Sequence, residues 1–405
     1  MIDRLLAGFG GLIRPGAASA AGRRAYELAV EQYFGSGQAF AFWKGRVALY
    51  AILKALGIGP GDEVLVPGYT CVMVPGPVLY VGARPVYVDI EPRFFTTPVE
   101  AVAARITPRT RAVLVQHTYG YPAPACEIRA LTQRHGIALI EDCCHTFGGR
   151  SNVRLLGTFG QAAFFSGQWN KPFSTGLGGL ALVHDAGLAG KVRAVQAECD
   201  SPGHGAAFML AAQLLVYELL IYPRTTALAT RTFRWLTHKG LVVGSSSAAE
   251  FEPQMPAGYA RGPAGVQCRL GRQEIGRVAA NLAHRASVVR TYAAEVARLG
   301  YAQPVLAPES EPLPLLRFPL RVANKAEALA QAVHHGVEIG SWFECPLHPA
   351  ETDQAEFGYQ DGMCPVAETA AAEVINLPTH RRVGPRDVER TLAFVAAVCR
   401  PPPPA

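Results

Sequence analysis

A chain of 405 residues that is 49% hydrophobic and 17% charged has the composition of a folded protein with a large buried core, which excludes an extended disordered chain. Its 38 basic and 32 acidic residues leave a formal charge of +6, spread too thinly and in runs no longer than "RR" to make a nucleic-acid surface. Nine scattered cysteines, with no CxxC pair and no metal-ligand spacing, read as reduced thiols of a cytosolic protein without a metal centre.

Residues 1–39 read as a short amphipathic arm. Gly8, Gly10, Gly11 and Arg14 interrupt the apolar stretch that a secretory signal needs, so the protein is expected in the cytoplasm. A large domain is expected over 40–264. The runs "DEVLVPG" (62–68), "ARPVYVDI" (83–90), "RAVLVQHTYG" (111–120) and "IALIEDCC" (137–144) are brief, rich in Val, Ile or Leu, and end in polar residues or glycine, as buried strands do. Helices are predicted at 47–57 and 126–136, the latter stopped by Gly136 just past its end. Alternating strands and helices with continuously apolar strands imply an α/β fold, a mostly parallel sheet covered on both faces by helices. Polar residues at the C-terminal strand ends then face the ligand.

The stretch 200–260 breaks this rhythm. Its apolar run "AAFMLAAQLLVYELLIY" (206–222) falls short of a membrane span and carries Gln213 and Glu218. It predicts a buried or subunit-interface helix. The alternative is a membrane-surface segment over 206–239, because Arg224, Arg231, Arg234, His238 and Lys239 follow, interleaved with Phe233 and Trp235. Residues 265–405 are expected to hold a connecting helix and a small α+β domain. Ile275, Val278 and Leu282 mark one face of a helix over 273–300, strands are predicted at 314–322 and 373–380, and helices at 325–334 and 385–398.

Two residues stand out chemically. Asp142 ends an otherwise apolar strand, where a carboxylate is costly unless a cation meets it. Lys171, in "GQWNKPFSTGLGG", has no charged residue among the ten before it. The two can simply pair as a structural salt bridge. They also match what pyridoxal phosphate requires: an amine for its aldehyde and a carboxylate for its protonated ring nitrogen. A phosphate needs backbone N–H groups at a helix start, and "FWKGRVALYAIL" offers Gly45, Arg46 and Val47 at such a position, with Ser166 adding a hydroxyl.

In this order, the motifs from about residue 40 to 398 resemble the DegT/DnrJ/StrS sugar aminotransferases among the fold type I pyridoxal-phosphate enzymes. "GRVALYAILKALGIGPGDEVLVPGYT" is similar to the family's opening block, "LIEDCCHTFGG" to its "IEDAAQAHGA", and "FFSGQWNKPFSTGLGG" to its lysine loop. The resemblance implies a large domain plus a small C-terminal one, a homodimer with shared active sites, and amino transfer from glutamate to a keto group of a nucleotide-linked sugar. It makes Lys171 the Schiff-base lysine, Asp142 the ring-nitrogen partner and Ser166 a phosphate ligand. His145 takes the place of a glutamine that contacts the cofactor's ring oxygen, and Cys71 that of a stacking aromatic, leaving Tyr69 or His145 to stack. Arg46 replaces a hydroxyl residue. Gln267, in "GPAGVQCRLG", stands nearest to an asparagine that the family hands to the partner subunit. Trp342 and His348 are candidate acceptor contacts, with plain packing as the alternative. Three other readings remain: a pyridoxal-phosphate dehydratase or lyase, against which Lys171 argues because related dehydratases carry histidine there; a membrane-docked transaminase for a lipid-linked acceptor; and a non-catalytic homologue. His334–His335 and Cys143–Cys144 lack a third metal ligand.

Overall fold

The four strands predicted between residues 62 and 144 all enter one seven-stranded sheet in the computed structural model, which describes residues 2–169, 171–220, 246, 248–301 and 313–402. Its strands are β1 (Gln38–Phe42), β2 (Glu63–Pro67), β3 (Arg84–Val88), β4 (Thr110–Gln116), β5 (Ala138–Asp142), β6 (Ala162–Ser166) and β7 (Gly179–Val183). They lie in the order β1-β7-β6-β5-β4-β2-β3. Only β7 runs against its neighbours; the other four pairings are parallel.

Side-chain alternation explains why both faces are covered. Phe40, Val64, Leu114, Ile140, Phe164 and Ala181 pack into one core, with the helix Gly45–Ala55. Their sequence neighbours Ala41, Leu65, Val115, Leu139, Phe165 and Leu180 pack into a second core, with the helices Ala20–Phe34 and Ala125–Arg134. Burying a side chain of Phe or Leu size contributes about 1.5–3 kcal/mol, so each strand is held from two sides.

Several elements differ from the sequence reading. Residues assigned to an arm form the helices Ile2–Ile13 and Ala20–Phe34, and the second buries Tyr26, Val30 and Phe34 against the sheet. The strand predicted to reach residue 120 ends at Gln116, because Tyr119 adopts a left-handed backbone (φ 56°) that no strand accommodates. The helix expected over 273–300 is two, Gly265–Ile275 and Val278–Arg298. Ile275, Val278 and Leu282 nevertheless share the second core across the break, so the apolar face was legible and the joint was not. The apolar run becomes the helix His204–Leu220, which buries Ala207, Leu210, Ala211 and Leu214 against Trp43, Leu177 and Val266 and leaves Phe208 and Val216 exposed. The basic and aromatic residues from Arg224 to Lys239 lie outside the described residues. Among the described residues no helix is long and apolar enough to cross a membrane.

Beyond the connecting helices, β8 (Arg317–Arg321) and β9 (Val374–Pro378) form an antiparallel pair flanked by the helices Lys325–His334 and Pro385–Val398. A short parallel ladder joins this part to the segment that follows β2, Thr70 opposite Leu347 and Cys71 opposite His348.

One buried polar knot stiffens the middle of the sheet. Glu141 points away from Asp142, its neighbour on β5, and accepts N–H bonds from Gly157 (2.8 Å), Phe159 (2.6 Å) and Gly160 (2.7 Å). His117 Nδ1 accepts from Ala123 N, so its Nε2 is protonated and donates to Glu141 at 3.1 Å. These bonds hold the Glu141 carboxyl below the usual range despite its burial. Glu141→Ala is expected to cost about 3–5 kcal/mol in chemical unfolding. Because the folded pKa is depressed, the wild-type contribution is present above the unfolded carboxylate pKa and is lost as pH falls through the folded one. The gap between the two proteins should therefore narrow in acid, and a gap that stays constant to low pH would remove this account.

Candidate active site

The C-terminal ends of β4, β5 and β6 open into a cavity of about 310 Å³, closed on the far side by the turn at Trp342 and the ladder at His348. Asp142, the last residue of β5, and Lys171, in the loop between β6 and β7, both line it and are almost fully buried. Among the described residues they form no ion pair. The structural salt bridge is thus absent: two opposite charges face one cavity without touching. Burial pushes the Asp142 carboxyl up while Cys144 N, donating to Oδ1 at 2.8 Å, and the Lys171 charge pull it down. Burial likewise pushes the Lys171 amine down toward its neutral form, against the acidic groups around it.

The lysine loop has its own support. Gly176 (φ 82°) packs so closely that a Cβ there would lie 3.0 Å from Leu214 and from Trp169. The apolar helix His204–Leu220 is therefore the wall behind this loop. Gln267 does not reach outward. Its side chain accepts from Ala264 N (2.7 Å) and donates to Trp43 O (3.1 Å) and Leu177 O (2.8 Å), tying the start of the helix Gly45–Ala55 to the lysine loop. As a fully buried residue bonded within its own chain, it is not an amide offered to a partner subunit.

At the phosphate end, Gly45 opens its helix against β6: a Cβ there would meet Phe165 O at 3.0 Å and the Ser166 side chain at 3.2 Å. Gly45, Arg46 and Ser166 line the cavity. Val47 does not; its N–H bonds back to Lys44 O and its side chain lies in the core. Lys44 and Glu250 escaped the sequence reading. Lys44 Nζ lies 2.8 Å and Arg46 Nη1 3.2 Å from Glu250, a residue of the atypical segment far along the chain. Burial and the Arg46 charge hold Lys44 down to about 8.

His145, Cys71, Trp342 and His348 also line the cavity, whereas Tyr69 lies behind it. The Tyr69 hydroxyl bonds the Tyr119 hydroxyl at 3.0 Å and accepts from Phe343 N at 3.3 Å, so it supports the wall from outside. The left-handed turn at Tyr119 directs its N–H onto His145 Nδ1 at 3.1 Å. His145 is therefore a neutral ring with its proton on Nε2, stacked near-parallel on Trp342 (5.7 Å, 19°), and burial keeps its pKa low. Strain of about 1–3 kcal/mol at Tyr119 is offset by its bonds to Trp342 O and Leu316 N.

The residues fit pyridoxal phosphate. A planar heterocycle needs an acid at its ring nitrogen, an amine at its aldehyde, a flat wall and an anion cradle. Asp142, Lys171, His145 and the Gly45–Ser166 contact supply these around one cavity. One metal-like group, His117–Glu141–Cys143, has its ligand atoms within 4.8 Å. His117 and Glu141 are already committed to hydrogen bonds, so the group reads as structure.

Comparison with known proteins agrees with the site. The profile of the DegT/DnrJ/EryC1/StrS aminotransferase family matches residues 17–208 and 227–396. The chain is 30% identical over 380 residues to the UDP-N-acetyl-3-dehydro-alpha-D-glucosamine 3-aminotransferase of Acidithiobacillus ferrooxidans, covering 93% of this chain and 87% of that one. It is 27% identical to the GDP-perosamine synthase of Caulobacter vibrioides, covering 92% and 89%. The fold matches a crystal structure of a DegT DnrJ EryC1 StrS aminotransferase from Brucella abortus with a TM-score of 0.75 at 22% identity, over 97% of this chain and 95% of that one. A match across nearly all of the chain means that this protein belongs to the DegT/DnrJ/EryC1/StrS aminotransferase family.

Proposed function

We propose that the protein is a pyridoxal-phosphate-dependent aminotransferase that moves an amino group from an amino-acid donor to a keto group of a nucleotide-linked sugar. The observation that carries this is the pair of buried, unjoined charges, Lys171 and Asp142, on one cavity. The family matched and the two relatives named above, both of nucleotide-sugar metabolism by name, support the acceptor class. A homodimer with shared sites and a cytoplasmic location complete the reading.

When bound, pyridoxal phosphate withdraws electrons from the donor's Cα and carries the amino group between substrates. This chain's residues do the rest. Asp142, an anion when it faces a cationic ring nitrogen, keeps that nitrogen protonated. Lys171 Nζ, desolvated toward the neutral amine, takes the proton from the donor's Cα and returns it on the opposite side of the transfer. His145 presents a flat, uncharged face backed by Trp342, against which the cofactor ring would rest. Ser166, Gly45 and Arg46 orient the phosphate, which fixes how far the reacting carbon lies from Lys171.

The purified protein is expected to be yellow. Glutamate or glutamine should bleach that band, and a keto-sugar nucleotide should restore it with the donor's ¹⁵N in the product. A colourless protein that takes up no cofactor, or a product without ¹⁵N, would overturn the assignment.

A further inference from the structure

The turn that bears Trp342 is anchored at its two ends by backbone bonds. Gly340 pairs with Asn376 of β9, N to O at 2.8 Å and O to N at 2.9 Å, and Leu347 enters the ladder opposite Thr70. Between these ends, among the described residues, no backbone N–H reaches the carbonyl of Ser341 or of Phe343. Carbonyls placed this way need another donor, and a side chain supplies it. Lys325, the first residue of the helix Lys325–His334, sends Nζ to Phe343 O at 2.9 Å and to Ser341 O at 3.2 Å, on either side of Trp342. It also donates to Ala371 O at 2.6 Å, which uses all three N–H bonds of the ammonium. Ala371 lies in the last turn of the helix Pro365–Glu373, where carbonyls lack an intrahelical donor and carry partial negative charge.

Lys325 is buried and, among the described residues, makes no ion pair. Glu344, whose charge it feels, accepts from Ser341 Oγ at 2.6 Å instead. Burial pulls Lys325 down to about 8, with Glu344 and Cys345 opposing, so the ammonium form still prevails at neutral pH. The indole held between its two carbonyls stacks on His145 (5.7 Å, 19°) and stands 5.0 Å from Lys171 Nζ. Trp342 O itself accepts from the Tyr119 hydroxyl. The carbonyls of three consecutive residues, 341 to 343, are thus gripped by two side chains from remote parts of the chain.

We infer that Lys325 is a positioning residue of the transfer reaction: its ammonium locks the backbone on both sides of Trp342 onto the end of the helix Pro365–Glu373, and so keeps the indole against His145 and beside the reacting amine. The inference rests on the transaminase reading and extends it from the cavity wall to what holds that wall in place. Lys325 does not line the cavity and acts only through the turn. With the lock removed, Trp342 is free to shift, and the face on which the cofactor ring rests moves relative to Lys171. A displacement of about 1 Å between reacting groups is enough to cost about 10²-fold in rate.

The test uses the cofactor-loaded enzyme in a double-mutant cycle with Trp342→Ala. Lys325→Met, close in length and without the charge, should leave the far-ultraviolet circular dichroism and the yellow band in place. It should weaken the visible circular dichroism of the bound cofactor, which reports how the ring is seated. The saturating rate of the glutamate half-reaction should fall about 10–100-fold, with donor affinity little changed. In the Trp342→Ala background the same substitution should change that rate less than about threefold, because the group it positions is gone. Equal slowing in both backgrounds, or slowing with an unchanged visible signal, would overturn the positioning role. Lys325→Arg keeps the charge but presents a flat fork to carbonyls that converge on one point. It should fold even where Lys325→Met does not, and should show the same coupling to Trp342 more weakly. Loss of folding in both variants would make Lys325 a residue of stability alone and end the proposal. A wild-type enzyme that is colourless, or that glutamate does not bleach, tells instead against the transaminase reading itself.

Discussion

Lys171→Ala is expected to abolish the yellow band and to lower the rate of amino transfer by about 10⁴-fold or more, the upper range for loss of a general acid–base group, with loss of cofactor attachment added. The variant removes the amine that faces the cavity but little of the packing, since the loop is held from behind by Gly176 against Leu214 and Trp169. Folding should therefore survive, as circular dichroism would show. Stopped-flow mixing with glutamate reads the proton step directly. Added ethylamine should restore part of the rate in Lys171→Ala and none in wild type, because a small amine enters the space the side chain left. In wild type the same half-reaction should rise with pH and level off below the usual lysine value. Burial lowers the folded pKa of Lys171, and the reactive neutral form accumulates above that pKa. Near-normal turnover in the alanine variant, or a rise that continues into the ordinary lysine range, would remove Lys171 from its role.

Asp142→Asn is expected to keep the fold and the bound cofactor but to slow the glutamate half-reaction about 10²–10³-fold. Losing one partner of a buried, hydrogen-bonded charge pair costs about 2–5 kcal/mol, and the neutral amide cannot hold a proton on the ring nitrogen. The Cys144 N bond to Oδ1 can be kept by the asparagine oxygen, so the local geometry stays. Asp142→Glu restores the charge at the wrong distance and should recover only part of the rate. The absorbance of the loaded protein separates the two effects: a retained band with slow bleaching supports the assignment, whereas rapid bleaching in Asp142→Asn overturns it.

Much of this site was legible because its signals are local. Apolar runs ending in polar residues located β2 to β5, and Asp142 followed from its place at the end of one of them. Lys171 stood out as a lone amine in an apolar stretch. What failed were positions whose neighbours are remote in sequence. Tyr69 and Val47 seemed close to the chemistry by chain position, yet alternation and helix geometry turn one behind the wall and the other into the core. Gln267 matched an outward-facing amide only until its helix placed it between Trp43 and Leu177. Glu250 carries no motif; chain folding alone puts it beside Lys44 and Arg46.

By itself the sequence determined the family, the α/β architecture and the two charges at the centre of the chemistry, because strand length, side-chain period and motif order are properties of neighbouring residues. Only the tertiary structure decided that Lys171 and Asp142 stay apart, which nitrogen of His145 keeps its proton, and that Lys325 reaches the carbonyls on both sides of Trp342. Those facts depend on the strand order and on the turn at Tyr119. Both are set by packing between segments far apart in the chain, which no local pattern encodes.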